Sequence, residues 1–276
     1  MRVTIFPFVM FFMWMQGDVD SVRIVELRVG AHLAEGGDAL LGCVFDLGPV
    51  ALYSLKWSKD GKEFYRYMPQ AVPQMRSFFV PGVVVDLNRS SLNTVALKHL
   101  TRNSSGVYQC SVYGEAPDFP TASRDKRVTV DLLPKTGPKV DGLKTEYHSG
   151  SYVDVNCTTT PSRPEAQFKW FINGRPAPSN YLLGPYLVLP TNMPHTYQAK
   201  LRLKFQALES HFEQGAMTLK CQATIPPLYL QETHHTFYDP NLRKNTTTAQ
   251  KNRGEIASTT ILLQWFLHLL LVLMNI

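Results

Sequence analysis

Ser105-Gly106-Val107-Tyr108-Gln109-Cys110, read with Leu41-Gly42-Cys43 and Leu55-Lys56-Trp57 upstream, decides the fold of this chain. Side chains alternate across a β-strand, so Tyr108 and Cys110 share one face while Gln109 and Ser111 take the other. The same parity sets Leu55 and Trp57 against Lys56 and Ser58, and places Ala39, Leu41, Cys43 and Phe45 on one buried face. Cys157, Trp170 and Cys221 follow in the same order, with Trp170 inside Phe168-Lys169-Trp170-Phe171-Ile172. Leu201, Leu203 and Phe205 alternate with Lys200, Arg202 and Lys204, so one face of that strand is buried and the other is a basic stripe. The stripe is either a solvated face or a partner site. Asp60-Gly61 and Asn173-Gly174 mark hairpin turns. The pattern predicts an all-β chain.

The order cysteine, tryptophan, tyrosine, cysteine resembles the immunoglobulin sandwich. In that fold the B-strand and F-strand cysteines bridge two sheets, the C-strand tryptophan packs on the bridge, and a tyrosine two residues before the second cysteine pins the E–F corner. The resemblance assigns these roles to Cys43, Trp57, Tyr108 and Cys110, and again to Cys157, Trp170 and Cys221. It implies the pairs Cys43–Cys110 and Cys157–Cys221. Leu219 stands where the second corner tyrosine would be, so another device must fix that corner. The expected fold is two tandem immunoglobulin-like sandwiches. The first is variable-type, because the interval from Cys43 to Cys110 leaves room for an added C′ strand at Phe64-Tyr65-Arg66-Tyr67 and a C″ strand. Gly82–Asp86 and Thr94–Leu97 fit strands D and E, and Arg127–Asp131 fits strand G.

Four cysteines pair without remainder, and lasting disulfides need an oxidising compartment, so the chain is expected outside the cell. Zinc is the competing reading; it usually needs close Cys or His pairs, which these cysteines do not form. In the chain-entropy account each bridge stabilises its domain by about 4 kcal/mol.

The domain reading starts with a signal peptide at residues 1–21, where Arg2 precedes a short apolar run. The first sandwich is expected over 22–133, a two-proline linker over 134–138, the second sandwich over 139–240 and a polar, disordered stalk over 241–255. Residues 256–276 form a hydrophobic tail behind a polar, small-residue stretch, the composition of a GPI-attachment signal. Asn252 is the expected attachment residue, with Gly254 and Ser258 as rivals. A spanning helix and a simple apolar terminus are the other readings. The expected location is the extracellular face of the plasma membrane, or the secreted pool.

Four sequons place glycans at Asn88, Asn103, Asn156 and Asn245. Asn156 precedes an inward cysteine and is expected to face solvent. The net charge of +6 is spread singly, which argues against nucleic-acid binding and leaves acidic surface partners open. No phosphate loop, metal helix or nucleophile elbow occurs, so no cofactor, metal or catalytic residue is expected. His234-His235 has no acidic companion at metal spacing and reads as surface.

The first domain carries more than generic sandwich residues. Asp46-Leu47, Leu52-Tyr53-Ser54-Leu55-Lys56-Trp57 and Glu63-Phe64-Tyr65-Arg66-Tyr67-Met68-Pro69 resemble the insect beaten path family, as do Ala116-Pro117-Asp118-Phe119 and, in the second domain, His211-Phe212 and Leu219-Lys220-Cys221-Gln222-Ala223-Thr224-Ile225. The resemblance implies a two-immunoglobulin neuronal surface or secreted protein. Such proteins bind sidestep-family immunoglobulin receptors in axon guidance and synaptic partner choice. By analogy with other variable-type sandwiches, the exposed sheet of strands G, F, C and C′ is the expected binding face. Its candidate residues are Lys56, Gln109 and Ser111, with Tyr65, Arg66 and Tyr67 from C′. The aromatics either contact a partner or pack the C′ hairpin.

Overall fold

The computed structural model describes residues 22–190 and 192–242. The signal segment, Asn245, Asn252 and the apolar tail lie outside the described residues. The chain divides into two units, with the boundary between Val130 and Asp131.

In the first unit, one sheet has the order β1 (Arg23–Arg28), β3 (Ala39–Asp46), β8 (Thr94–Leu97) and β7 (Val85–Asp86). These are strands A, B, E and D. The other sheet has the order β2 (His32–Ala34), β10 (Thr121–Asp131), β9 (Gly106–Gly114), β4 (Leu52–Lys59), β5 (Lys62–Tyr67) and β6 (Met75–Ser77). These are A′, G, F, C, C′ and C″, and with the added C′ and C″ strands the unit is a variable-type sandwich. Strand G starts six residues before the expected Arg127. Its exposed first half shows no apolar alternation, and its ladder to β9, from Thr121 opposite Tyr113, holds it in place.

The second unit has β11 (Lys139–Asp141), β12 (Tyr152–Thr158), β16 (Gln198–Gln206) and β15 (Leu182–Val188) in one sheet. The other contains β14 (Arg175–Pro176), β13 (Gln167–Ile172), β17 (Ala216–Ile225) and β18 (Tyr229–Tyr238), in that order. The stretch 134–138, expected as a semi-rigid linker, is bonded to the second unit. Leu132 and Arg163 exchange backbone hydrogen bonds of 2.9 Å, Lys135 N–H donates to Thr160 Oγ1, and Tyr229 O–H donates to the Thr136 carbonyl. Two prolines marked a break in pattern, but the second unit already claims the backbone around them. At the far end, Leu242, the second residue of the expected stalk, packs on the second core, and residues 243–255 of that stretch lie outside the described residues.

Each core is built on its bridge. Cys43 and Cys110 are joined with Cα atoms 6.5 Å apart, and Cys157 and Cys221 with Cα atoms 6.4 Å apart. Trp57 and Trp170 lie buried in the two clusters around these bridges. In the first unit the Tyr108 hydroxyl donates to the Ser104 carbonyl at 2.7 Å, which pins the E–F corner. The second unit uses Asn173, in the turn after β13. Its amide donates to the His211 carbonyl at 2.8 Å, and its Oδ1 accepts from Thr218 N–H at 2.8 Å. Asp60 is the first unit's counterpart, with Oδ1 accepting from Val107 N–H at 2.8 Å. Both residues sit at positive φ, 49° and 48°, each followed by glycine. At Gly106 a Cβ would lie 2.5 Å from the Asp60 carboxylate, so glycine is required there by close approach.

Three outcomes follow from these contacts. Trp57→Ala opens a void against the disulfide and costs about 3–5 kcal/mol; secretion of the variant should collapse, and normal surface levels would contradict its place in the core. Asn173→Ala removes two hydrogen bonds and should lower the melting temperature of the second unit, measured by calorimetry. The Asp60 carboxyl is held below the usual carboxylate range, chiefly by the Val107 N–H and then by Lys59. A depressed carboxyl contributes stability above its unfolded pKa and loses it as pH falls through the folded value. Asp60→Asn should therefore melt earlier than the parent at pH 7, with the gap narrowing toward pH 3.

Candidate recognition face

The six-stranded sheet of the first unit presents its outer face through strand parity. On β9 the inward residues are Tyr108, Cys110 and Val112, which leaves Gln109, Ser111 and Tyr113 outside. Lys56 lies opposite Ser111, and Ser58 opposite Gln109. From β10, Ser123 and Asp125 continue these two rows.

Two of the expected contact residues are elsewhere. Tyr65 is buried, its hydroxyl donates to the Ser91 carbonyl at 2.8 Å, and burial pushes its pKa up to about 12. Tyr67 packs against the same core, with its hydroxyl on Gln74. The cause is a β-bulge. Trp57 faces Tyr65 while Ser58 faces Glu63, so Phe64 is the extra residue. Phe64 and Tyr65 are therefore buried in succession, and the parity beyond them is reversed. Phe64 makes an edge contact with Tyr108, with ring centroids 5.8 Å apart. Of the C′ triplet, only Arg66 reaches the outer face.

Arg66 stands directly opposite Lys56, and Arg76 of β6 directly opposite Arg66. Three cations thus form one row across three neighbouring strands. Two are backed by rings: Lys56 Nζ is 4.6 Å from the Tyr113 ring centre, and the Arg66 guanidinium is 5.6 Å from that of Phe78. Arg66 also holds Glu63 through hydrogen bonds of 2.6 and 2.8 Å, which keep its proton bound more tightly than usual. No carboxylate reaches ion-pair distance of Lys56 or Arg76 among the described residues. Three residues after Arg76, Phe79 is 91% exposed. At the loop end of the sheet, Tyr53 and Phe119 meet edge to face at 6.4 Å.

The sequence reading missed Arg76, Tyr113 and Phe78. Tyr113 was within reach, since it shares the parity of Gln109 and Ser111. Arg76 was not, because a three-residue strand carries no readable period. Asn88 and Asn103 are exposed in short turns, Leu87–Arg89 and Arg102–Ser104. Asn156 lies on the outer side of β12 but is only half-exposed, because Asp141 and Arg202 flank it in register on both neighbouring strands. The described residues contain no cluster of three metal-ligating side chains. No helix among them is long and apolar enough to cross a membrane.

No family model matches the chain. Cell adhesion molecule 2 of Homo sapiens is 25% identical over 152 residues, covering 54% of this chain and 32% of that protein. Cell adhesion molecule 3 of Xenopus laevis is 27% identical over 139 residues, covering 49% of this chain and 32% of that protein. The chain therefore spans about a third of the length of the curated relatives it matches. Among solved structures, murine CEACAM1b aligns with a TM-score of 0.50 at 16% identity, over 79% of this chain and 98% of that one. The structural likeness supports the fold: two immunoglobulin-like sandwiches. The sequence likeness is to immunoglobulin-type cell adhesion molecules.

The two classes of C′ residue should separate by mutation. Tyr65→Ala empties a buried aromatic site and costs about 3–5 kcal/mol, the range for large aromatic truncations. Lys56→Glu should leave the melting temperature within a few degrees, as is usual for surface changes of about 0.5 kcal/mol or less. Equal losses in thermal melts of the two variants would undo the inside-outside assignment.

Proposed function

We propose that this chain is an extracellular recognition protein that binds another cell-surface immunoglobulin-superfamily protein through the outer face of its first sandwich. One observation carries this reading, the row Lys56–Arg66–Arg76 in direct cross-strand register. Like charges placed opposite one another destabilise a sheet by a few tenths of a kcal/mol to about 1 kcal/mol per pair. Glu63 offsets Arg66 within the fold, but Lys56 and Arg76 are left without a carboxylate at ion-pair distance among the described residues. A partner presenting carboxylates supplies one, and the rings of Tyr113 and Phe78 hold two of the cations in place for it. Tyrosine, phenylalanine and arginine are enriched at protein interfaces, because they bury large area or fix charge geometry. The adhesion-molecule likeness supports binding rather than catalysis as the role.

Within this reading, the resemblance to the beaten path family makes a sidestep-family receptor the partner, and axon guidance and synaptic partner choice the setting. The apolar composition of 256–276 supports retention at the membrane through a GPI anchor. Phosphatidylinositol-specific phospholipase should then release the chain from intact cells. Retention after treatment would assign a spanning helix instead, and spontaneous appearance in the medium would assign a secreted ligand.

Lys56→Glu with Arg76→Glu should weaken binding to a sidestep-family ectodomain at least about tenfold, or ~1.4 kcal/mol. The parent complex should also associate more slowly as salt is raised. Surface plasmon resonance reads both. A well-folded double variant with unchanged affinity would move the interface off this face.

A further inference from the structure

Strand β15 of the second unit ends its sheet, with β16 on one side and, among the described residues, no strand on the other. Folded domains blunt such edges with charge, proline or a bulge. Here Gly184-Pro185 interrupts the register between Leu183 and Tyr186 and guards only the first half. The second half carries no charge. Tyr186, Leu187, Val188 and the following Leu189 are 50%, 50%, 51% and 67% exposed.

A groove of about 390 Å³ runs beside this edge. Its apolar wall comes from Ala166, Phe168, Leu182, Pro185, Leu187 and Leu201. It is open because β14 pairs only with Phe171 and Ile172, so the start of β13 has no strand on that flank. On the outer face the register sets Lys200 opposite Tyr186 and Arg202 opposite Leu183. Asp154 holds Arg202 in a two-point pair and stands opposite Lys204 in register, while no carboxylate reaches ion-pair distance of Lys200 among the described residues.

We infer that the β15 edge is a second docking site, which takes an extended segment of another protein with apolar residues alternating with carboxylates. Added as one more strand, such a segment sends successive side chains to opposite faces. One set fills the groove at Leu187 and Phe168. The other crosses the Tyr186 ring toward Lys200. Charge selects this occupant over a second copy of the chain, which would bring a second row of Lys200, Arg202 and Lys204 to the same sheet face. An acidic polysaccharide would satisfy the lysines and leave the groove empty.

The test uses the purified full chain and three fluorescein-labelled decapeptides, read by anisotropy. They are alternating glutamate–valine, alternating lysine–valine, and glutamate–valine with proline at every second valine. The first should bind saturably, and the other two at least tenfold more weakly. Lys200→Glu with Lys204→Glu, and separately Leu187→Ser, should each weaken the first peptide at least fivefold while melting temperatures hold. Equal binding of the glutamate and lysine peptides would overturn the proposal, as would no saturable binding at all. So would a dimer in sedimentation that Leu187→Ser dissolves, or heparin binding without peptide binding. Lys56→Glu with Arg76→Glu should leave peptide binding unchanged, which separates this site from the face of the first unit.

Discussion

The packing of a tryptophan against an inter-sheet disulfide is the constraint on which the rest of each unit depends. Once Cys43 is tied to Cys110 and Trp57 is buried against the pair, the parity of strands B, C and F is fixed. A one-residue slip would turn every apolar side chain to water and every polar one inward. Lys56, Gln109 and Ser111 are on the outer face because Trp57 and Cys110 are not free to be there. The recognition face is thus a consequence of core packing.

Parity also explains how far the sequence could be read. The immunoglobulin pattern placed the cysteines, both tryptophans and the corner tyrosine, and from those anchors parity placed the outward residues of strands C and F. Parity failed at C′, where one extra residue at Phe64 resets the alternation and carries Tyr65 and Tyr67 into the core. Nothing local announces such a bulge. Phe-Tyr-Arg-Tyr reads equally well as a contact patch, and only pairing with Trp57 and Ser58 decides otherwise. Arg76 was hidden for a related reason, because its strand is too short to show a period and its position comes entirely from β5. At the linker the prolines marked where regular structure stops, while the bonds of Lys135 and Thr136 to the second unit depend on distant partners and had no local signal.

The two E–F corners show one mechanical problem solved by different chemistry. Both units place an Asx residue in left-handed geometry before a glycine, and both aim its Oδ1 at the amide three residues before the second cysteine. In the first unit the residue is Asp60, the tyrosine corner shares the load, and Lys59 balances the carboxylate. In the second the residue is Asn173, and the absent tyrosine is offset by its amide, which reaches the His211 carbonyl. A neutral side chain with both donor and acceptor does there what an anion and a phenol do together in the first unit. Leu219 is thereby free to pack as an ordinary core residue.

The distribution of uncompensated features separates what folding requires from what it does not. Several surface cations are paired locally: Arg23 with Asp46, Arg28 with Glu26, Arg89 with Asp38. Such exposed pairs contribute little stability, but they leave no charge seeking a partner. Lys56 and Arg76 in the first unit, and Lys200 in the second, have no carboxylate at ion-pair distance among the described residues, a property they share with Lys62, Arg102 and Lys169. Lys56 packs on the Tyr113 ring, and Lys200 stands opposite the exposed Tyr186. A face that keeps cations unpaired beside apolar area carries a small folding cost, which carboxylates arriving with a partner's apolar side chains would relieve. Charge and burial therefore point to the same chemistry at both sites, although one is a flat sheet face and the other an open strand edge.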